Sequence, residues 1–318
     1  MTTSFKNLSS YVLFIAVFSF ILSFSSYASA AVCGPPLWDY KYTGELARLS
    51  GPSKIEVDYS GQLYVADFNG NAIRIYNAKG EEINVVPVNN PRGVAVDQSG
   101  QLYVAQTTFV SVITLDDKGQ IAGSRTLGDK KFAFANDVAV DQVTGRIFVV
   151  DSIYKRVFVF GSDNSYITHF ANDVYGTKEW VAIDIDQANG RIYVASQGNN
   201  RVNIYRLDDY TAVKGILRPF GRSSDSEFAM LQGVSVDSSG RSFVVDGGLD
   251  TIYFFDGCYT YITSLGSHGY SSGLFNLPLD VAADSYGRIF VSNIDGRVSI
   301  FRSAEMVAPV PDSPVGNV

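Results

Sequence analysis

Two histidines, His169 and His268, and two cysteines, Cys33 and Cys258, are all that the 318 residues hold. A catalytic zinc centre takes about three protein ligands, so histidine cannot supply one here. One disulfide is the most the thiols could form. Basic residues are short as well: from Ala31 onward 24 Lys and Arg stand against 32 Asp and Glu, a formal charge of −8. Nucleic acid needs a basic face for its phosphates, and this balance excludes that class of partner. It leaves cationic partners and metal ions open without selecting either. No Ser-His-Asp or Cys-His arrangement and no Gly-rich phosphate loop can be assembled. Beyond residue 30 no stretch is continuously apolar for the roughly 18 residues a membrane helix needs.

What is present begins with a leader. Lys6 precedes an apolar run from Tyr11 to Phe24, and Ala28-Ser29-Ala30 then offers a small-x-small cleavage pattern. Residues 1–30 read as a signal peptide, which makes the chain secreted or periplasmic, with no stable membrane insertion after cleavage. The run is short for a bilayer span, and a retained anchor is the alternative. Val32 stands where a lipoprotein would need a small residue before Cys33.

The rest is one unit written six times. Each copy has an apolar strand ending in Asp, a short turn with Gly, and a second strand ending in a polar residue. The first strands close at Asp58, Asp97, Asp141, Asp186, Asp237 and Asp284, at intervals of 39 to 51 residues. That is the spacing of four-stranded propeller blades. An innermost strand is packed on both sides, which explains its apolar run, and Asp-x-x-Gly closes a tight hairpin. Third strands of alternating β-branched and aromatic residues follow, such as Val157 to Phe160 and Val202 to Tyr205. A fourth strand completes five units. The sixth stops after Phe301, and the spare segment Thr43–Leu49 is expected to pair with Val298–Phe301 and close the ring, since an open ring would leave an unpaired edge. The predicted fold is therefore all-β: a six-bladed β-propeller of four-stranded antiparallel blades, closed by an N-terminal strand, and monomeric. A lead-in covers residues 31–44, the propeller 45–302, and a Pro-containing flexible tail 303–318.

Pro91-x-Gly-Val-Ala-Val-Asp97, Leu63-Tyr-Val-Ala-Asp67, Asn199-Asn-Arg-Val202 and Gly273-x-Phe-x-x-Pro278 resemble NHL repeats, and the resemblance spans about residues 45 to 302. It implies a six-bladed propeller serving as an interaction platform or extracellular sensor. Other members bind RNA through basic and aromatic side chains, or form a zinc-dependent amidating lyase with several channel histidines. The charge balance speaks against the first and the two histidines, both expected at the surface, against the second.

A further resemblance, to calcium-dependent lactonase and esterase propellers, directs attention to the channel. Calcium takes six to eight oxygens. Aligned innermost strands give one column of Glu56, Ala95, Ala139, Asp184, Ser235 and Ala282, and another of Lys54, Gly93, Asp137, Ala182, Gly233 and Asp280. Glu56, Asp137, Asp184 and Asp280 are thus candidate ligands for Ca2+ in a metal-dependent hydrolase or lyase. The competing reading is that they meet Lys54, Arg92 or water at the channel mouth and that no cofactor is needed. Acids and polar residues closing the second strands, such as Asp151, Ser196 and Asn293, are expected to brace the loops that follow.

Those second-to-third-strand loops share one face, with Phe68, Phe109, Tyr154, Lys155 and Asn199 as candidate partner contacts. The leading reading is a non-enzymatic binding or scaffold module for an extracytoplasmic protein, peptide or glycan. Two cysteines in an oxidising compartment suggest a Cys33–Cys258 disulfide stapling the N-terminal segment beside the seam.

Overall fold

The computed structural model describes residues 39–171, 180–197, 200–216 and 228–304. The leader, Cys33, Asn199 and the tail from residue 305 lie outside them. Six four-stranded antiparallel sheets form the molecule, five built from consecutive strands. The sixth sheet takes three strands from Pro278–Ser303 and its outer strand from Tyr40–Leu46. Tyr40 pairs with Ser303 and Leu46 with Val298, so an N-terminal strand closes the ring. It starts before Thr43 and stops short of Leu49. Tyr40 explains the earlier start: its buried ring packs edge-on against Phe254 at 5.1 Å and Phe243 at 6.2 Å, anchoring the strand to the fifth blade.

The innermost strands are Pro52–Val57, Gly93–Val96, Ala135–Val140, Trp180–Asp186, Leu231–Val236 and Pro278–Ala283. Each is followed by the predicted turn. Gly61, Gly100, Gly145, Gly190, Gly240 and Gly287 all take positive φ, between 61° and 81°, where a side chain would be strained. The Asp before each Gly holds the turn. Asp58 Oδ1 accepts from the Ser60 and Gln62 amides, and Asp97 accepts from Ser99 and Gln101 in the same way.

The core lies between blades rather than at a common centre. Six buried apolar clusters occupy the six interfaces between neighbouring blades, including the one that joins the first to the sixth. In three blades the acid closing the second strand ties the blade to the chain that enters it. Asp67 Oδ1 accepts from the Ser50 and Gly51 amides, Asp151 Oδ2 from Ala133 and Phe134, and Asp246 from Ala229 and Met230. The bracing role is as expected, but the partner is mainly the incoming connector. Asp151 and Asp246 also hold the following loop, through Tyr154 N and Gly248 N. These fully buried carboxylates are tolerable because backbone donors satisfy them.

Candidate functional site

The six innermost strands ring an axial channel with two faces. The Asp-x-x-Gly turns rim one, the turn face; the second-to-third-strand loops and the connectors between blades rim the other, the loop face. Glu56, Ala95, Ala139, Asp184, Ser235 and Ala282 all line a cavity of about 400 Å3 opening on the turn face, so this column does face the axis.

Beneath it the channel is plugged. Asp137, 6% exposed, accepts from the Ile183 amide of the next blade at 3.0 Å. Asp280, 5% exposed, accepts likewise from Ile55 of the first blade at 3.0 Å. Glycine makes room for both. A Cβ on Gly93 would stand 2.7 Å from Asp137 Oδ1, and one on Gly233 only 2.3 Å from Asp280 Oδ1. The Gly-Asp arrangement occurs twice around the ring, and Ala182 and Lys54 hold the two remaining positions of the column. Lys54, 7% exposed, fills the axis, donating to the Gln232 carbonyl and forming a 3.3 Å ion pair with Asp280. A buried ion pair supported by backbone bonds is costly to break from one side.

Three of the four acids at the two levels serve the backbone. An innermost strand has a free inner edge, and side chains of one blade accept its neighbour's amides there. Asp184 Oδ2 takes Val236 N at 2.7 Å, and Ser235 Oγ takes Ala283 N at 3.2 Å. Burial pushes the Asp137 and Asp184 carboxyls up to about 7, and raises Asp280 against the opposing pull of Lys54. Half-buried Glu56 accepts no hydrogen bond from a described residue; burial, then the neighbouring Asp184, Asp137 and Asp280, hold its carboxyl well above the usual range. Among the described residues no group of three or more His, Cys, Asp or Glu side chains is placed to hold a metal ion. Glu56, Asp137, Asp184 and Asp280 are split between two levels, and three of them are engaged by backbone amides.

On the loop face a second cavity, of about 280 Å3, is lined by Ser53, Arg92, Asn136, Val181, Gln232 and Leu279, with Lys54, Phe68, Asn69, Gly51 and Ile294 around them. The first six occupy the position just before the Lys54 column. β-Bulges place five of them there, Arg92 lying just before its strand instead: the register of the innermost strand shifts between Ala135 and Asp137, Trp180 and Ala182, Leu231 and Gly233, and Pro278 and Asp280, and similarly after Pro52. A bulged residue is left out of the ladder and its side chain is re-aimed, here toward the mouth. Strict alternation along the strand hides this column, although the residue before each plug position was there to be aligned. Arg92 packs against two rings, 4.0 Å from the Phe134 centroid and 5.0 Å from that of Phe68, and its Nε donates to Thr107 Oγ1 at 3.4 Å.

The candidate contacts on this face divide. Tyr154 is exposed, at 47%. Phe68 is half-buried in the mouth beside Arg92. Phe109 does not sit on a loop tip: it opens the third strand, Phe109–Leu115, opposite Gln106, because the intervening turn needs only Thr107 and Thr108. Lys155 is half-buried at a turn position with φ 54°. Ile153, Leu249, Tyr270 and Ile294 also stand exposed on this face, whereas the turn face exposes Tyr59 and Val143. Both histidines are at the surface. His268 Nδ1 lies 2.9 Å from Asp250, and His169 lies between Tyr166 Oη and Arg156. Cys258, on the turn after the third strand of blade five, is not a free thiol; its expected partner Cys33 is outside the described residues.

With this geometry in place, the comparisons define a class. The family model DUF5128, described as "6-bladed beta-propeller", matches residues 130–224, which span the third and fourth blades. No curated protein sequence matches the chain. Among solved structures, a chain of Kuenenia stuttgartiensis hydrazine synthase superposes with a TM-score of 0.58 at 12% identity, covering 80% of this chain and 96% of that one. At that identity the likeness is one of fold. The protein is a six-bladed β-propeller.

Proposed function

We propose that this protein is an exported, NHL-type propeller acting as a non-enzymatic binding module, and that its loop face meets an extracytoplasmic protein or peptide. The observation behind this is the contrast between the two faces of the disc among the described residues: the loop face exposes Ile153, Tyr154, Leu249, Tyr270 and Ile294, the last of them lining its mouth, against Tyr59 and Val143 on the turn face, while the other exposed apolar side chains lie on the outer strands. Aromatic and aliphatic groups exposed on one face suit a docking surface. The leader pattern in residues 1–30 supports export, and a Cys33–Cys258 bond would suit an oxidising compartment. Among the described residues no helix is long and apolar enough to cross a membrane. The test is capture of proteins from the source's extracytoplasmic fraction by the immobilised propeller, compared with a Tyr154→Ser, Leu249→Ser, Ile294→Ser variant and with Tyr59→Ser, Val143→Ser. A partner lost only with the first variant is the expected result. Equal loss with the second, turn-face variant would overturn the assignment of the face.

A further inference from the structure

The turn-face cavity holds a carboxylate that the fold does not use. Six acids line it, Glu56, Asp58, Asp184, Asp186, Asp237 and Asp284, and no Lys, Arg or His stands among its described lining residues. Five of the six are engaged. Asp58, Asp237 and Asp284 accept from backbone amides of their own turns, Asp186 from Asn189, and Asp184 from Val236 of the next blade. Arg241 and Arg288 also pair with Asp237 and Asp284. Glu56 accepts from no described residue, and the charged groups that face it, Asp184, Asp137, Asp280 and Asp58, are all acids. Three positions of its column are alanine, so closure of the ring needs no more than a methyl there. Burying an acid without a partner is costly, and Glu56 returns no contact within the chain to offset it.

A second acceptor in the same wall is unmatched. Gln142 lines the cavity and its Nε2 donates to the Val96 carbonyl at 2.9 Å, but its Oε1 is buried and receives no hydrogen bond. Buried acceptors are nearly always paired, so both groups call for a donor. The donor for Glu56 is best a cation. It need not be a metal ion, since no three acids are grouped to hold one among the described residues. The rest of the wall is apolar, with Ala95, Ala139, Ile183 and Ala282, and about 400 Å3 is the size of a small-molecule pocket. We infer that the turn-face cavity binds a small primary amine with an apolar body, its ammonium group on Glu56 and its body against the alanines of the column. An ammonium carries three N–H donors, which leaves others for acceptors such as Gln142 Oε1. Tyr59 at the rim adds an aromatic face that attracts a cation.

Isothermal titration at pH 8 tests the inference with phenethylamine, the uncharged 2-phenylethanol, Nα-acetyl-lysine methylamide and calcium chloride. Phenethylamine should bind at least about tenfold more tightly than the alcohol, the worth of one charge-assisted contact. Its affinity should rise from pH 6 to pH 8 as Glu56, and Asp184 across the cavity, release the protons that burial holds on them. Glu56→Gln keeps the size, removes the charge and should erase the preference for the amine. If that variant melts early, Tyr59→Lys replaces it: the residue is 63% exposed, and the added cation should weaken the amine while sparing the alcohol. Equal binding of amine and alcohol, a preference that survives Glu56→Gln, or no binding of phenethylamine at about 10 mM would overturn the inference. Tighter binding of the lysine probe would overturn the choice of a free amine over a protein side chain, and calcium that displaces the amine one for one at about 1 mM would put a metal ion in its place. The site lies on the face opposite the proposed docking surface, so amine binding through Glu56 and partner capture through Tyr154, Leu249 and Ile294 stand or fall separately.

Discussion

The two mouths of the channel are made by the same six strands, only a few residues apart, yet they differ in kind. At the turn face every blade contributes the same device, an Asp followed after two or three residues by a Gly with positive φ, and the aligned lining column is small and acidic: alanines and a serine with Glu56 and Asp184. At the loop face the six aligned residues are Ser53, Arg92, Asn136, Val181, Gln232 and Leu279, no two alike. A repeated sequence keeps its unit where the unit makes structure, and varies it where six equal positions would serve no purpose. The plug of Lys54, Asp137 and Asp280 separates these regions, so they can be tested separately.

The plug itself gives the largest effect. Lys54→Met leaves Asp280 buried with its cation removed and should cost about 3 kcal/mol in urea unfolding at pH 8. Adding Asp280→Asn should recover most of that loss, since the remaining acceptor still meets Ile55 N. A Lys54→Met chain as stable as the parent would mean that the two mouths are not divided as described.

Smaller in size is the response of the turn-face and plug acids to pH. Asp137 and Asp184 keep their protons to about pH 7 in the folded chain and, unfolded, release them near about pH 4. The folded state therefore binds more protons in this window, and stability present at low pH is lost as pH rises through 7. Melting at pH 8 should fall below melting at pH 5.5 by the equivalent of about 1 kcal/mol or more, and Asp184→Asn should flatten the difference. A melt that rises with pH over this range would contradict the buried, proton-holding state of these carboxyls.

Least affected should be the loop-face rim. Tyr154→Ser removes an exposed ring whose contacts are with Phe158 and Arg156 on its own blade. Its stability should change by no more than about 0.5 kcal/mol. A large loss would make Tyr154 a structural residue rather than a docking one.

How much of this was legible in the sequence follows from the same contrast. Turns, blade count and the closing strand can be read because Asp, Gly and alternating apolar residues recur in register. The Glu56 column could be placed on the axis because strand alternation holds there. The loop-face column could not, because a bulge breaks alternation and nothing in Asn136-Asp137 or Gln232-Gly233 announces one. Phe109 was misplaced for a related reason: a two-residue turn and a longer one look alike when both are followed by β-branched residues. The roles of Asp137, Asp184 and Asp280 were hidden because their partners are backbone amides of the next blade, which leave no trace in side-chain identity.

The most direct test of the one-sided account is hydrogen exchange of the propeller with and without its captured partner. The account predicts slowed exchange in the loops around residues 152–155, 247–250 and 293–297 and at the amides flanking Arg92, with no change at the turns around Gly61, Gly100, Gly145 and Gly287. Slowing confined to those turns would contradict it and move the binding site to the acidic mouth around Glu56.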